Sequence, residues 1–189
     1  MQVSGDLVSL RFLETSDAQA LLDLRLANRE FFRPLEPTVG DLHFTLEGQQ
    51  ADIARLEDER AADESYVFGV FENGSGVLVG RIGLSAVFRK AWHNANLGYY
   101  IGKEFNGRGY GTEAVRLAVR YAFEGARLHR VQGAVMLDNE ASRRVLEKAG
   151  FRLEGLARNY LKINDRWEDH HIYAITLEDW EAGGARAES

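Results

Sequence analysis

Phe105-Asn106-Gly107-Arg108-Gly109-Tyr110-Gly111-Thr112-Glu113 is the stretch from which the chain is best understood. It follows a run with strand character, Ala95 to Gly102. It precedes a helical stretch from Thr112 to about Glu124, whose Val115, Ala118, Val119, Ala122 and Phe123 share one face. A strand that turns through glycines into a helix leaves the first helical N–H groups unpaired and able to converge on an anion. Glycine lets the main chain approach a phosphate without side-chain clash, and Arg108 adds a full charge. A plain turn feeding a helix would use the same residues. Two nucleotide loops are excluded: no Gly-Lys-Ser/Thr ending follows, and glycines at 107, 109 and 111 fail the spacing G-x-G-x-x-G.

Working outward, residues 6–13 alternate as a strand, and Ser16 or Asp17 then caps a helix with Ala18, Leu21, Leu22 and Arg25 at helical spacing. Pro34 and Pro37 break regular structure between Glu30 and Asp41, and a second helix, acidic on its exposed side, follows from about Phe44 to Ala62. Tyr66 to Phe71 and Val77 to Ser85 flank Asn73-Gly74-Ser75-Gly76 and spell a hairpin. Downstream come a strand at 129–137, a helix at 139–149 stopped by Gly150, and strands at 151–163 and 167–177 across Asn164-Asp165. The order β α α β β β α β α β β predicts an α+β fold: a mixed, mostly antiparallel central sheet with helices on both faces. Residues 1–180 are expected to form a single domain, with 181–189 as a polar C-terminal tail.

The chain has 189 residues, 45% of them apolar, and no cysteine. Thiol nucleophiles, thiolate zinc sites and disulfide scaffolds are therefore excluded, and a cytoplasmic address is favoured. No apolar run approaches the ~18 residues of a membrane span, and the N-terminus lacks a signal-peptide pattern. A net charge of −6 argues against a nucleic-acid partner. The charge is uneven: residues 41–72 carry 9 acidic and 2 basic side chains, residues 81–130 carry 9 basic and 3 acidic. His93, His129, His170 and His171 show no metal-ligand spacing, so no metal is expected. No G-x-S-x-G elbow supports a serine hydrolase.

The glycine turn resembles the acyl-CoA pyrophosphate loop of the GNAT superfamily of N-acetyltransferases, Q/R-x-x-G-x-G/A, with Asn106 in place of its first residue. Asn139-Glu140-Ala141-Ser142-Arg143-Arg144-Val145-Leu146-Glu147-Lys148-Ala149-Gly150-Phe151 is similar to N-x-x-S-x-x-[VL]-L-E-K-x-G-F. With Leu97-Gly98-Tyr99 before the loop and Trp167-Glu168-Asp169-His170 after it, the chain resembles the RimJ/RimL branch, the ribosomal-protein N-terminal alanine acetyltransferases. The motifs are dense from about Asn96 to Thr176 and thin before residue 80.

This resemblance implies acetyl-CoA as co-substrate and direct transfer of its acetyl group to a primary amine. It implies that the strand before the loop splays from its neighbour and that pantetheine lies along it, against the backbone of Tyr100, Ile101 and Gly102. A main-chain N–H between Gly98 and Tyr100 would meet the carbonyl oxygen, and the amides of Arg108, Gly109, Tyr110, Gly111 and Thr112 would cradle the pyrophosphate. Asn139 would bond the pantetheine amide region. Ser142, three residues on and on the same helix face, is the candidate to protonate the departing sulfur; a bare helix cap would also explain both residues. Phe32, Glu36, Tyr99 and Tyr160 are the candidate acceptor-binding residues. Many relatives carry a glutamate base and a tyrosine acid where this chain has Asn96 and Leu146, neither of which titrates. An α-amine needs a base less than a lysine does, so the favoured acceptor is the N-terminus of a basic protein such as a ribosomal protein, attracted by the acidic stretch 41–72. A small amine (amino acid, polyamine or aminoglycoside) and a non-catalytic acyl-CoA sensor are the alternatives. Oligomeric state is left open, a homodimer included.

Overall fold

A computed structural model describes residues 2–187, and their side chains as far as residue 183. The elements are β1 (Gln2–Ser4), β2 (Val8–Phe12), α1 (Ala18–Ala27), α2 (Arg29–Phe32), α3 (Leu46–Ala61), β3 (Tyr66–Glu72), β4 (Leu78–Phe88) and β5 (Asn94–Ile101). They continue with α4 (Tyr110–Arg120), which widens into a π turn over Tyr121–Gly125, then β6 (Arg130–Met136), α5 (Glu140–Lys148), β7 (Arg152–Ile163), β8 (Arg166–Thr176) and α6 (Leu177–Ala187). The strands form one sheet in the order β1-β2-β3-β4-β5-β6-β8-β7. Neighbours pair antiparallel except β5 with β6, whose parallel pairing is what a crossover through α4 produces.

Both sheet faces are covered, as expected for an α+β fold. On one, Ala114, Val115, Ala118, Val119 and Ala122 pack the α4 stripe onto Leu10, Phe68, Ile82, Leu84, Leu97 and Val131. On the other, Leu21 and Leu24 of α1 and Ile53 of α3 close over Phe71 and Leu78. Each fully buried aliphatic of this kind contributes roughly 1.5–3 kcal/mol.

Four local differences from the sequence expectations have physical causes. The first strand is a hairpin: β1 and β2 flank Gly5, and the Glu113 carboxylate accepts the Asp6, Leu7 and Val8 N–H groups at 3.0, 2.8 and 2.6 Å. Strand β4 extends to Phe88 across a bulge, with Ala86 at φ +49°. Helix α4 starts at Tyr110 rather than Thr112 because Gly109, at φ +86°, turns the chain one residue after Arg108. Residues 177–187, from the last residue of the expected final strand into the expected tail, form α6. Thr176 and Asp179 bond reciprocally at its start, as in a capping box, and the Trp180 ring lies 5.6 Å from that of Phe123. Residues 188–189 lie outside the described residues.

The acidic and basic stretches are partly each other's partners. Asp52 on α3 accepts from Arg81 at 2.6 Å, and Asp63 from Arg89 at 2.5 Å. Glu59 accepts from Ser65 at 2.7 Å and also pairs with Arg55. The expected charge contrast is thus reduced inside the fold.

Candidate active site

The parallel ladder between β5 and β6 stops early. Pairing runs from Asn94 opposite Arg130 to Leu97 opposite Gly133, yet β5 continues to Ile101 and β6 to Met136. Beyond Leu97, β5 stays bonded to β4 only, so its other edge is free. Leu146 of α5 sits at the fork: it is 1% exposed, and a Cβ on Gly133 would lie 3.1 Å from its Cδ1. Asn96 fastens the closed end of the fork by accepting from Gln132 Nε2 at 2.8 Å.

A cavity of about 500 Å³ opens where the strands part. Tyr99 and Tyr100 both line it although adjacent strand residues point to opposite faces, so the cavity passes through the sheet. One wall is the glycine turn and the start of α4, with Asn106, Gly107, Gly109, Tyr110, Gly111 and Thr112. A Cβ at Gly109 would meet Leu7 at 3.2 Å on a backbone already at positive φ, whereas Gly107 has open space around it. The amides of Tyr110, Gly111 and Thr112 open a helix and have no acceptor one turn earlier.

Helix α5 forms the second wall. Asn139 is its N-cap, with Oδ1 accepting from the Ser142 N–H at 3.0 Å, and Ser142 Oγ lies 3.0 Å from the Tyr99 hydroxyl. Burial pushes the Tyr99 phenol up to about 12.

The opposite mouth is aromatic, lined by Phe31, Phe32, Leu35 and Tyr100, with Glu36 among them. Phe32 is buried against Tyr100, ring centroids 4.8 Å apart. The Glu36 carboxylate takes both Nη groups of Arg25, at 2.8 and 2.5 Å. Arg25 is 1% exposed and packed within cation–π range of Phe32 and Tyr100. Burial pushes the Tyr100 phenol up against the pull of Arg81 and Arg25.

Of the residues singled out from sequence, Phe32, Glu36, Tyr99, Tyr100, Ile101, Gly109, Tyr110, Gly111, Thr112, Asn139 and Ser142 meet in this one cavity. Three do not. Gly102 has its N–H on Val79 O at 2.9 Å and its carbonyl under the Phe105 N–H at 2.9 Å, so both main-chain groups are engaged. Arg108 donates to Glu104 O at 3.1 Å, outside the lining. Tyr160 is on β7, its ring 5.8 Å from His170. Arg25 was not singled out as a site residue. Its signal was a charge inside an apolar helical stripe. Among the described residues no group of three His, Asp or Glu side chains is arranged to hold a metal, and no helix is long and apolar enough to cross a membrane.

Comparison with known proteins agrees with this geometry. The model of the acetyltransferase (GNAT) domain matches residues 8–152. The chain is 42% identical to the "Probable N-acetyltransferase YjcK" of Bacillus subtilis, over 95% of this chain and 99% of that protein. It is 32% identical to the ribosomal protein uS5 alanine N-acetyltransferase of Escherichia coli, over 97% and 94%. Among solved structures, the ribosomal-protein-S5-alanine acetyltransferase of Vibrio fischeri superposes with a TM-score of 0.89 at 29% identity, covering 95% of this chain and 98% of that one. Mycobacterium smegmatis RimJ, in complex with CoA-disulfide, gives 0.86 at 29% identity, covering 94% and 89%. A sheet forked beside a glycine turn, matched over nearly its whole length by such relatives, places the chain in the GNAT family of N-acetyltransferases, with the ribosomal-protein S5-alanine acetyltransferases and RimJ among its relatives.

Proposed function

We propose that the chain transfers the acetyl group of acetyl-CoA to the N-terminal α-amine of a protein or peptide. The observation that carries this reading is the cavity through the fork between β5 and β6, which joins the unpaired amides at the start of α4 to an aromatic mouth. Pantetheine adds along the free edge of β5 through the main-chain groups of Ile101, because strand alternation turns those of Tyr100, like the engaged groups of Gly102, toward β4. The amides opening α4, with Gly109 and Gly111 giving access, hold the pyrophosphate, and Arg108 can swing in from its exposed position. Asn139 serves as cap and as pantetheine contact. A main-chain N–H of the Gly98–Tyr100 segment polarises the thioester carbonyl.

Attack by the neutral amine gives a tetrahedral intermediate whose collapse breaks the C–S bond. The electron pair stays on sulfur, Ser142 passes its proton there and regains one from water, and the amide nitrogen loses its extra proton to water, so no net proton is left on or taken from the enzyme. Asn96 is tied to Gln132 and Leu146 is buried, so neither position offers a base. An α-amine with a pKa near 8 is roughly a fifth neutral near neutral pH, whereas a lysine amine is neutral on the order of one part in a thousand. Arg25, the guanidinium packed behind the mouth, is held by Glu36 and so is not available to the carboxylate of a free amino acid. Glu36, with Phe32 beside it, faces the incoming ammonium. Tyr160 would reach the acceptor only where that chain extends past β7.

The test is CoA release measured with free N-terminal peptides, the same peptides Nα-blocked but carrying lysine, amino acids and aminoglycosides. Peptides with a free alanine or serine terminus should have the highest kcat/KM. A higher value for a small amine would reassign the acceptor, and CoA binding without turnover of any amine would leave a sensor.

A further inference from the structure

We propose that Tyr99 is a positioning residue: its hydroxyl donates to Ser142 Oγ and so turns the Ser142 O–H into the cavity, toward the thioester sulfur. This rests on the acetyl-CoA reading above. The two oxygens are 3.0 Å apart, and either could be the donor by distance alone. Chemistry decides the direction. A phenol is a far stronger acid than an aliphatic alcohol and therefore the better donor, and the alcohol oxygen is the better acceptor. Once the Tyr99 hydrogen occupies one lone pair of Ser142, the Ser142 hydrogen must point away from Tyr99.

The rest of the site leaves it one useful direction. Asn139 Oδ1 holds the Ser142 N–H, which fixes where the side chain leaves the helix. Tyr99 and Ser142 line the same cavity, with the Tyr99 ring near the position a Cβ on Gly111 would take, 3.8 Å away. Tyr99 stays protonated throughout any pH at which the amine reacts, because burial lifts its phenol to about 12. Donation into Ser142 also polarises the serine O–H, since successive hydrogen bonds strengthen one another. A ring that merely filled the space beside Gly111 would need no hydroxyl, which is what separates this role from packing.

The experiment titrates the thiol of CoA bound to the full chain, followed by thiolate absorbance, beside steady-state kinetics. An unperturbed aliphatic thiol titrates near ~8.5. Arg144 and Lys148 line the cavity in every variant, so the difference between variants isolates the hydroxyls. Tyr99→Phe and Ser142→Ala should each raise the midpoint of bound CoA relative to wild type, and the double variant should raise it no further. Tyr99→Phe should also lower kcat by roughly tenfold while KM for acetyl-CoA moves less than about twofold, the signature of an interaction made in the transition state. If Tyr99→Phe fails to fold, Tyr99→Met fills the space with a flexible side chain that likewise lacks the hydroxyl. A Tyr99 variant with the wild-type midpoint and kcat, or effects fully additive with those of Ser142→Ala, overturns the inference. A wild-type chain that binds no CoA removes the acetyl-CoA reading and this inference together, an outcome distinct from those two.

Discussion

Arg25 and Glu36 illustrate how unequal the partners of one ion pair can be. The Arg25 side chain is 2% exposed, and that of Glu36 is 24% exposed. Removing Glu36 strands a guanidinium with no route to water, whereas removing Arg25 leaves a carboxylate that can rehydrate at the cavity mouth. Glu36→Ala should therefore cost about 3 kcal/mol and Arg25→Met only about 1–2 kcal/mol, as read by urea denaturation. Equal losses would mean that the stranded charge is no costlier at Arg25 than at Glu36, so that the difference in burial does not set the cost. Gly109 carries a different constraint, a φ of +86° beside Leu7. Gly109→Val, β-branched in that conformation, should weaken CoA binding by at least about tenfold in calorimetry, while Glu124→Ala on the exposed side of the π turn should leave it unchanged. Gly109 was legible because glycine spacing is local information. The Arg25–Glu36 pair was not, because it joins a helix to the segment beyond a proline and exists only once both are packed.

At the scale of elements, long-range carboxylates fix the geometry. Glu113 opens α4 and closes the β1–β2 turn from more than a hundred residues away in sequence, which is why residues 6–13 look like one strand in isolation. The helix stripes, the Asn73–Gly76 hairpin and the Asn139 cap were all legible, since each is set by near neighbours. The early end of the β5–β6 ladder was not written in either strand's own pattern. It depends on Leu146 lying under Gly133, a contact between separate elements, and was expected only through family resemblance. Asp52 shows the same kind of coupling between α3 and β4. Burial pushes its carboxyl up, but the guanidiniums of Arg81 and Arg55 outweigh that and hold it below the ordinary value. A carboxyl depressed in the folded state contributes stability above its unfolded pKa, about 3.9, and loses it as pH falls through the lower folded value. Asp52→Asn should cost about 2 kcal/mol at pH 7, and the gap from wild type should close in denaturation series taken progressively below about pH 4. A gap that persists undiminished at pH 2 would assign the loss to packing rather than to charge.

Across the whole molecule, on the proposed reading in which Asn96 and Leu146 offer no base, surface charge and the acceptor's own amine together determine how the rate responds to pH. The chain carries −6 overall, but Asp52 and Asp63 are spent on Arg81 and Arg89, so attraction of a basic acceptor falls to exposed carboxylates such as Glu47, Asp58 and Glu64. That attraction acts through water and fades with salt, so it affects encounter and kcat/KM more than the chemical step. The step itself needs a neutral amine. Tyr99 is pushed to about 12, Tyr100 is pushed up by burial, and Asn96 and Leu146 do not titrate. The limb of the pH–rate profile should then belong to the substrate: kcat/KM for a peptide α-amine should rise with pH and level off with an apparent pKa near ~8. Replacing the acceptor by a terminus of lower amine pKa should move that midpoint down with it, unit for unit, and added salt should lower kcat/KM for a cationic peptide while leaving the midpoint nearly in place. A midpoint near ~6 that stays fixed as the acceptor is changed would instead be the titration of a histidine or raised carboxyl on the enzyme. His43 is the first residue to replace in that case, because burial and Arg25 hold its imidazole below the ordinary value beside the same cluster that carries Glu36.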